Sequence, residues 1–243
     1  MSYSEAYFTT RESWRDWRIE AHWLIKSARV APGARVLEIG CGGGGVMRLL
    51  RERGVDVVGV DTLNVALNLA WERLNFRQDK ETRRRGEREK NLSLSPILLV
   101  SPSLVQVGEI PTLPFRADAF DAIIAQHVGE HLPDMDTALR EWKRLLRPNG
   151  RIAFATPNAR YPDPAHFADD DHVHIFTSVE LRRLFENAGF TVESCVTVFP
   201  FLSQIRFLRA FGVIAHRLFQ RAPYFALRGR TILLSARNGE SNE

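Results

Sequence analysis

The chain has 243 residues, 33 of them basic and 29 acidic, so its formal net charge is +4. A hydrophobic share of 44% and a charged share of 26% exclude a disordered or fibrous chain and suit one α/β domain with a sizeable core. So mild a basicity, with no dominant basic stripe, argues against a nucleic-acid partner.

Residues 1–31 set Trp14, Trp17, Trp23, Leu24 and Ile25 among charges, which predicts one or two amphipathic helices that pack on the domain or roof its pocket. This segment reads as an N-terminal helical lid on a domain of residues 32–243. It has no apolar core of a secretory signal, and no apolar run of about 18 residues follows that could span a membrane. "ARVLEIG" (34–40) is a short apolar run stopped by glycines, a buried strand. "VMRLLRERG" (46–54) has helical spacing and ends at Gly54. "VDVVGVD" (55–61) is the second strand, and "TLNVALNLAWERL" (62–74) the second helix of the domain, with Thr62 as its cap.

The rhythm breaks over 75–103, where charges of both signs interleave before "SLSPILLVSPS"; this reads as a solvated insertion. "LVQVGEI" (104–110) and "FDAIIAQH" (120–127) are strands three and four. "DMDTALREWKRLLRPNG" (134–150) is a helix ended by Pro148 and Gly150, and "RIAFATPN" (151–158) a fifth strand. A helix over 177–190 opens at Thr177 or Ser178, with Glu180 near a capping-box position. "TVESCVTVF" and "RTILLSAR" close the sheet. Strand–helix alternation of this kind predicts an α/β fold with a doubly wound, mostly parallel, seven-stranded sheet, Rossmann-like in architecture.

Cys41 and Cys195, the only cysteines, are far apart and lack metal spacing, which suits a reducing, cytoplasmic compartment. "VLEIGCGGGG" carries the chemistry. Glycines between a strand and a helix admit a ligand to the backbone, and the helix N-terminus beyond suits an anion. Gly40, Gly42 and Gly45 fit the dinucleotide spacing G-x-G-x-x-G, yet Glu38 would set a carboxylate against a pyrophosphate. A ligand with a positive charge, ammonium or sulfonium, resolves that conflict. Cys41 reads as a small loop residue, having no base nearby in sequence.

"VLEIGCGGG" resembles motif I of the class I methyltransferases that use S-adenosylmethionine, and the similarity covers about residues 34–190. "VVGVD" is similar to that family's second strand, whose terminal acid, here Asp61, binds the ribose hydroxyls. "VGEIPTLPF" resembles its "GDAxxLPF" segment, with Glu109 in place of the aspartate that meets the adenine. "FDAIIAQHVGEHLPD" and "LRPNGRIAFATPN" are similar to the subgroup of ubiquinone and menaquinone biosynthetic methyltransferases, with Asn149 replacing a glycine. The resemblance implies S-adenosylmethionine as cofactor and S-adenosylhomocysteine as product. It implies a cofactor site of Glu38, Gly40, Cys41, Gly42, Gly44, Asp61, Thr62, Glu109, Ile110, Gln126 and His127. Asp61 has a second reading, as a cap of the following helix.

A methyl donor already activated leaves the protein to align the acceptor and, for a hydroxyl or amine, to remove a proton. His131 and His172 are the candidate bases, since histidine titrates near neutrality. The alternative is that His131 only braces the loop before the next helix. The subgroup's quinone O-methyltransferases have a metal near the "EH" pair, and His127, Glu130 and His131 could supply ligands. The full acid set is missing, so no metal is assigned. The expected acceptor is a small molecule, apolar or lipid-like given the aromatic lid. Over 200–230 an amphipathic segment gathers Arg206, Arg209, His216 and Arg217 on one side, with peripheral membrane contact through 201–221 as its sharper reading. Two other functions stay open, an NAD-dependent oxidoreductase and a non-catalytic protein that binds S-adenosylmethionine.

Overall fold

Alternation along one strand assigns the two faces of the sheet. In β1 (Arg35–Ile39), Leu37 and Ile39 enter one apolar core while Val36 enters the other, so Glu38 shares the side of Val36. The computed structural model describes residues 4–13, 15–75, 104–107, 112–161, 171–198, 218, 222 and 226–239. The remaining strands are β2 (Asp56–Asp61), β3 (Leu104–Gln106), β4 (Phe120–Gln126), β5 (Leu146–Pro157), β6 (Phe190–Val198) and β7 (Thr231–Asn238). Their order is β3-β2-β1-β4-β5-β7-β6. β1 to β5 run parallel, and β7 runs antiparallel to both of its neighbours. The predicted doubly wound, mostly parallel sheet of seven strands is therefore present.

Helices α1 (Glu5–Ser13), α2 (Arg15–Ala28), α3 (Gly45–Arg51), α4 (Asn64–Asn75), α5 (Met135–Leu145) and α6 (Ser178–Asn187) cover it. One face packs Leu24, Met47, Leu50 and Leu67 of α2, α3 and α4 onto Val36, Val57, Ile124 and Ala155. The other packs Leu139 and Trp142 of α5 and Phe185 of α6 onto Leu37, Ile123 and Phe154. Central strands are enclosed on both sides, which is why "AIIA" in β4 is apolar without alternation and Ala122 to Ala125 are fully buried.

Two of the boundaries that differ from the sequence reading have a local chemical cause. The helix predicted over 134–150 stops at Leu145, and Leu146 already pairs with Phe120 of β4. Pro148 accounts for the early stop, since it has no N–H and biases Arg147 away from helical dihedrals. The register with β4 then slips, Ala122 pairing with Arg151, and Asn149 in the intervening turn has φ 65°. This left-handed conformation favours glycine and is tolerated by asparagine, which explains the replacement noted in the motif. The other boundary is Thr62, which does not cap α4; that helix begins at Asn64, and the Asp61 carboxylate accepts a bond from Leu63 N–H. Thr177 does cap α6, in a full capping box with Glu180. Of the third predicted strand only 104–106 is strand among the described residues. Most of the 75–103 insertion and of the 200–230 segment lies outside them. No described helix is long and apolar enough to cross a membrane.

Candidate active site

A cavity of about 340 Å³ opens at the carboxyl ends of β1, β2 and β4. The glycine loop forms its floor. Gly40 and Gly42 have φ of 66° and 50°, and both line the cavity. A Cβ on Gly40 would come within 2.4 Å of Val128, and one on Gly42 within 3.1 Å of Phe8. Gly43 and Gly45, which the motif did not single out as ligand contacts, also line it, beneath Glu12 and Trp17. Gly44 does not line the cavity; a Cβ there would meet Ala70 of α4 at 2.9 Å, so this glycine lets the loop pack on α4.

Glu38, Cys41, Asp61 and Thr62 line the same space. Asp61 organises it: Oδ2 accepts from Gly42 N–H at 2.9 Å and Oδ1 from Leu63 N–H at 2.9 Å. It thus braces the turn after β2, bonding a residue ahead of α4 and not an N–H of that helix, and it also lines the cavity. Glu38 is 3% exposed, and its Oε2 has no hydrogen-bond partner among the described residues. Burial, with Glu12 and Asp61 nearby, raises its pKa well above the usual carboxylate range, although Met47 N–H bonds the ionised form. Burial also raises Asp61 and Glu12. Three acidic side chains thus face one cavity, and the oxygen that Glu38 keeps without a partner there suits a cation. Cys41 is buried and its thiol is pushed well up by burial and by Asp61 and Glu38, which makes it inert.

At the end of β4 the structure builds a polar chain that the sequence did not suggest. His127, with φ 56°, sits between two acids: Nε2 is 3.0 Å from Glu20 Oε2 and Nδ1 is 3.2 Å from Glu130 Oε1. Gln126 Nε2 donates to Glu20 at 2.9 Å, and Thr156 Oγ1 donates to Glu130 Oε2 at 3.0 Å. Burial opposes charge on all three ionisable members, yet each charge offsets the next. The Glu20 carboxyl is held down at about 2 against burial by His127 and by bonds from Thr231 and Gln126. His127 is raised against burial, chiefly by Glu20, and Glu130 is lowered against burial by His127. A carboxylate on each nitrogen favours the charged form of the His127 imidazole, in which both nitrogens donate. Glu20 was legible in one respect. Trp17, Ala21, Leu24, Ile25 and Ala28 form the buried stripe of α2, and Glu20 is the acid on that stripe.

Of the two candidate bases, His131 lines the cavity and His172 does not, although their rings are 5.0 Å apart. His131 Nδ1 lies 3.1 Å from the Asp171 carbonyl oxygen. A carbonyl can only accept, so Nδ1 carries the proton and Nε2 holds the free lone pair. Glu130, His131 and His172 each offer one donor atom within 4.8 Å of the others, a different trio from the His127, Glu130 and His131 considered from sequence. Each Glu130 oxygen already accepts one bond, from His127 and from Thr156. Tyr7, Phe8, Arg11, Glu12 and Trp17 complete the wall, with Arg11 donating to the Tyr7 hydroxyl at 3.2 Å. Beyond their aromatic content, no spacing marked these residues in the sequence. Glu109 and Ile110, assigned to the adenine end, lie outside the described residues.

The methyltransferase domain family matches residues 11–195. The ubiquinone biosynthesis O-methyltransferase of Acinetobacter baylyi is 28% identical over 150 residues, covering 62% of this chain and 54% of that protein. The chain thus spans about half the length of the curated relatives it matches. Among solved structures, a SAM-dependent methyltransferase from Aquifex aeolicus superposes with a TM-score of 0.61 at 16% identity, covering 97% of this chain and 99% of that one. The geranyl diphosphate C-methyltransferase of Streptomyces coelicolor, solved with S-adenosyl-L-homocysteine, superposes with a TM-score of 0.59 at 19% identity, covering 91% of this chain and 79% of that one. The strand order, the glycine loop flanked by Glu38 and Asp61, and a family match over most of the length agree: the chain belongs to the class I S-adenosylmethionine-dependent methyltransferase family.

Proposed function

We propose that the chain transfers a methyl group from S-adenosylmethionine to a small-molecule acceptor, leaving S-adenosylhomocysteine. The observation that carries this reading is the buried Glu38 Oε2 without a partner at the glycine loop. A cationic amino-acid group supplies the missing partner, and the Asp61 carboxylate keeps lone pairs for ribose hydroxyls beyond its two backbone bonds. The loop fits as well, since Gly40 and Gly42 leave the backbone bare where a side chain would collide. A pyrophosphate on this loop would meet Glu12, Glu38 and Asp61 together, which disfavours the oxidoreductase alternative.

When bound, the cofactor supplies an electrophilic methyl group and a neutral leaving group. The chain's own residues then hold and deprotonate the acceptor. Helices α1 and α2 act as the lid: Tyr7, Phe8 and Trp17 enclose the cavity in aromatic surface and exclude water. Their apolar faces suit an apolar acceptor, in keeping with the quinone and geranyl names of the relatives. His131, its Nδ1–H fixed on the Asp171 carbonyl, presents Nε2 to take the acceptor's proton. Calorimetry with S-adenosylhomocysteine and NADH tests the cofactor. Binding of the first alone supports the reading, and binding of NADH alone overturns it. His131→Gln is expected to lower single-turnover methyl transfer about 100-fold at unchanged cofactor affinity. Unchanged transfer would leave His131 as a brace of its loop. Cofactor binding without turnover of any phenol, amine or isoprenoid acceptor would favour the non-catalytic alternative.

A further inference from the structure

The motif residues account for one end of the cofactor site, and Glu12 stands outside them. It comes from α1 and lines the cavity with Glu38. It lies so close over the loop that a Cβ on Gly45 would come within 2.8 Å of its Cδ and a Cβ on Gly43 within 2.9 Å of its Oε1. Glu12 does not reach this place unaided. Arg73 of α4 donates to Glu12 Oε1 at 2.7 Å, to the Gly43 carbonyl at 3.1 Å and to Thr9 Oγ1 at 3.0 Å. One guanidinium thereby joins two sites on α1 to the glycine loop. An ion pair that only fastened a helix would have no need to face a cavity. Glu12 does face one, beside a buried carboxylate with an unpartnered oxygen.

We propose that Glu12, set in position by Arg73, is a second carboxylate for the α-ammonium of the cofactor, so that the amino-acid end of the ligand draws α1 down over the pocket. The assignment rests on the methyltransferase reading above. An ammonium has three protons to donate, and Glu38 Oε2 from the strand side and Glu12 from the α1 side can each accept one. Without the cation the two acids repel each other, which is one cause of the raised Glu38. With it, the same pair becomes a clamp between a fixed strand and a helix that is otherwise half-exposed. Glu12 binds ligand in this scheme, and Arg73 is a positioning residue.

Two nucleoside probes separate the ligand's ends. S-adenosylhomocysteine carries the amino-acid half, and 5′-methylthioadenosine lacks it. Glu12→Gln is expected to weaken the first about ten-fold and to leave the second within about two-fold, as for loss of one charge-assisted bond. Equal weakening of both, or of neither, would overturn the assignment. The exchanged variant Glu12→Arg with Arg73→Glu restores an ion pair without restoring an acid over the loop. Its affinity for S-adenosylhomocysteine is expected to stay at or below that of Glu12→Gln; recovery to the wild-type value would show that Glu12 serves only to fasten α1. Wild-type protein that binds neither probe would overturn the cofactor reading itself. Wild-type binding with an unmoved ratio in Glu12→Gln would overturn only the role of Glu12.

Discussion

Two buried acids illustrate how environment decides the role of a residue. Glu20 is ionised because His127 and three hydrogen bonds compensate it, whereas Glu38 lacks that compensation and is raised well above 4.5. The sign of the pH dependence follows. On the proposed function Glu38 meets the ammonium of the cofactor in its ionised form, whereas burial favours its protonated form to pH values above the ordinary carboxylate range. Binding is therefore expected to release a proton, and affinity for S-adenosylhomocysteine to increase as pH is raised from about 4.5 upward. Calorimetry in buffers of different ionisation enthalpy should show that release. Glu38→Gln should bind more weakly with a flatter pH profile, and an unchanged profile would remove Glu38 from the ammonium site. Glu38 could be read from sequence because an acid beside a glycine loop conflicts with the phosphate chemistry such loops usually serve. Glu20 was harder to read, since its partners are 106 and 107 residues away and only the folded sheet brings them together.

At the scale of elements, local chemistry marked the helix starts better than the ends of helices and strands. Thr177 and Glu180 signal the start of α6 directly, each bonding the backbone at the other's position. Thr177→Ala is expected to cost about 1 kcal/mol in urea unfolding, and Thr177→Ser much less. The end of α5 was misread because Leu145 and Leu146 continue its apolar face, and both are buried. The pairing of Leu146 with Phe120 is a long-range contact that spacing along the chain does not reveal. Helix α2 was placed by its aromatic residues, but which strands it crosses was not. It packs on β4 and β5 near the site, with the Ser235 hydroxyl of β7 bonded to the Ser27 carbonyl at 3.3 Å. The segment whose sequence predicts packing on the domain or roofing of its pocket is therefore rooted over the centre of the sheet.

For the whole molecule, the sequence pattern was enough to specify the sheet because parallel strands enclosed by helices are apolar throughout and punctuated by glycine. The polarity of the last strands left no such mark, and the antiparallel course of β7 emerged only from the structure. The core on the α5–α6 side depends on Trp142, which is fully buried against Phe154 yet leaves its indole N–H without a hydrogen-bond partner among the described residues. Trp142→Ala should destabilise the fold by about 3–5 kcal/mol through the cavity it leaves. Trp142→Phe should cost far less, since it also removes a buried donor that is itself worth about 1–3 kcal/mol of destabilisation. Equal losses in thermal unfolding would show that the donor is satisfied. The chain Glu20–His127–Glu130–Thr156 joins α2, the end of β4, the turn after it and β5 into one electrostatic unit. Its consequence is a rule of inheritance. Neutralising Glu20 would leave His127 with one acid, Glu130, and neutralising His127 would leave two buried carboxylates held by neutral donors alone. Positions 20, 127 and 130 are therefore coupled, and descendants of this chain should show them changing together.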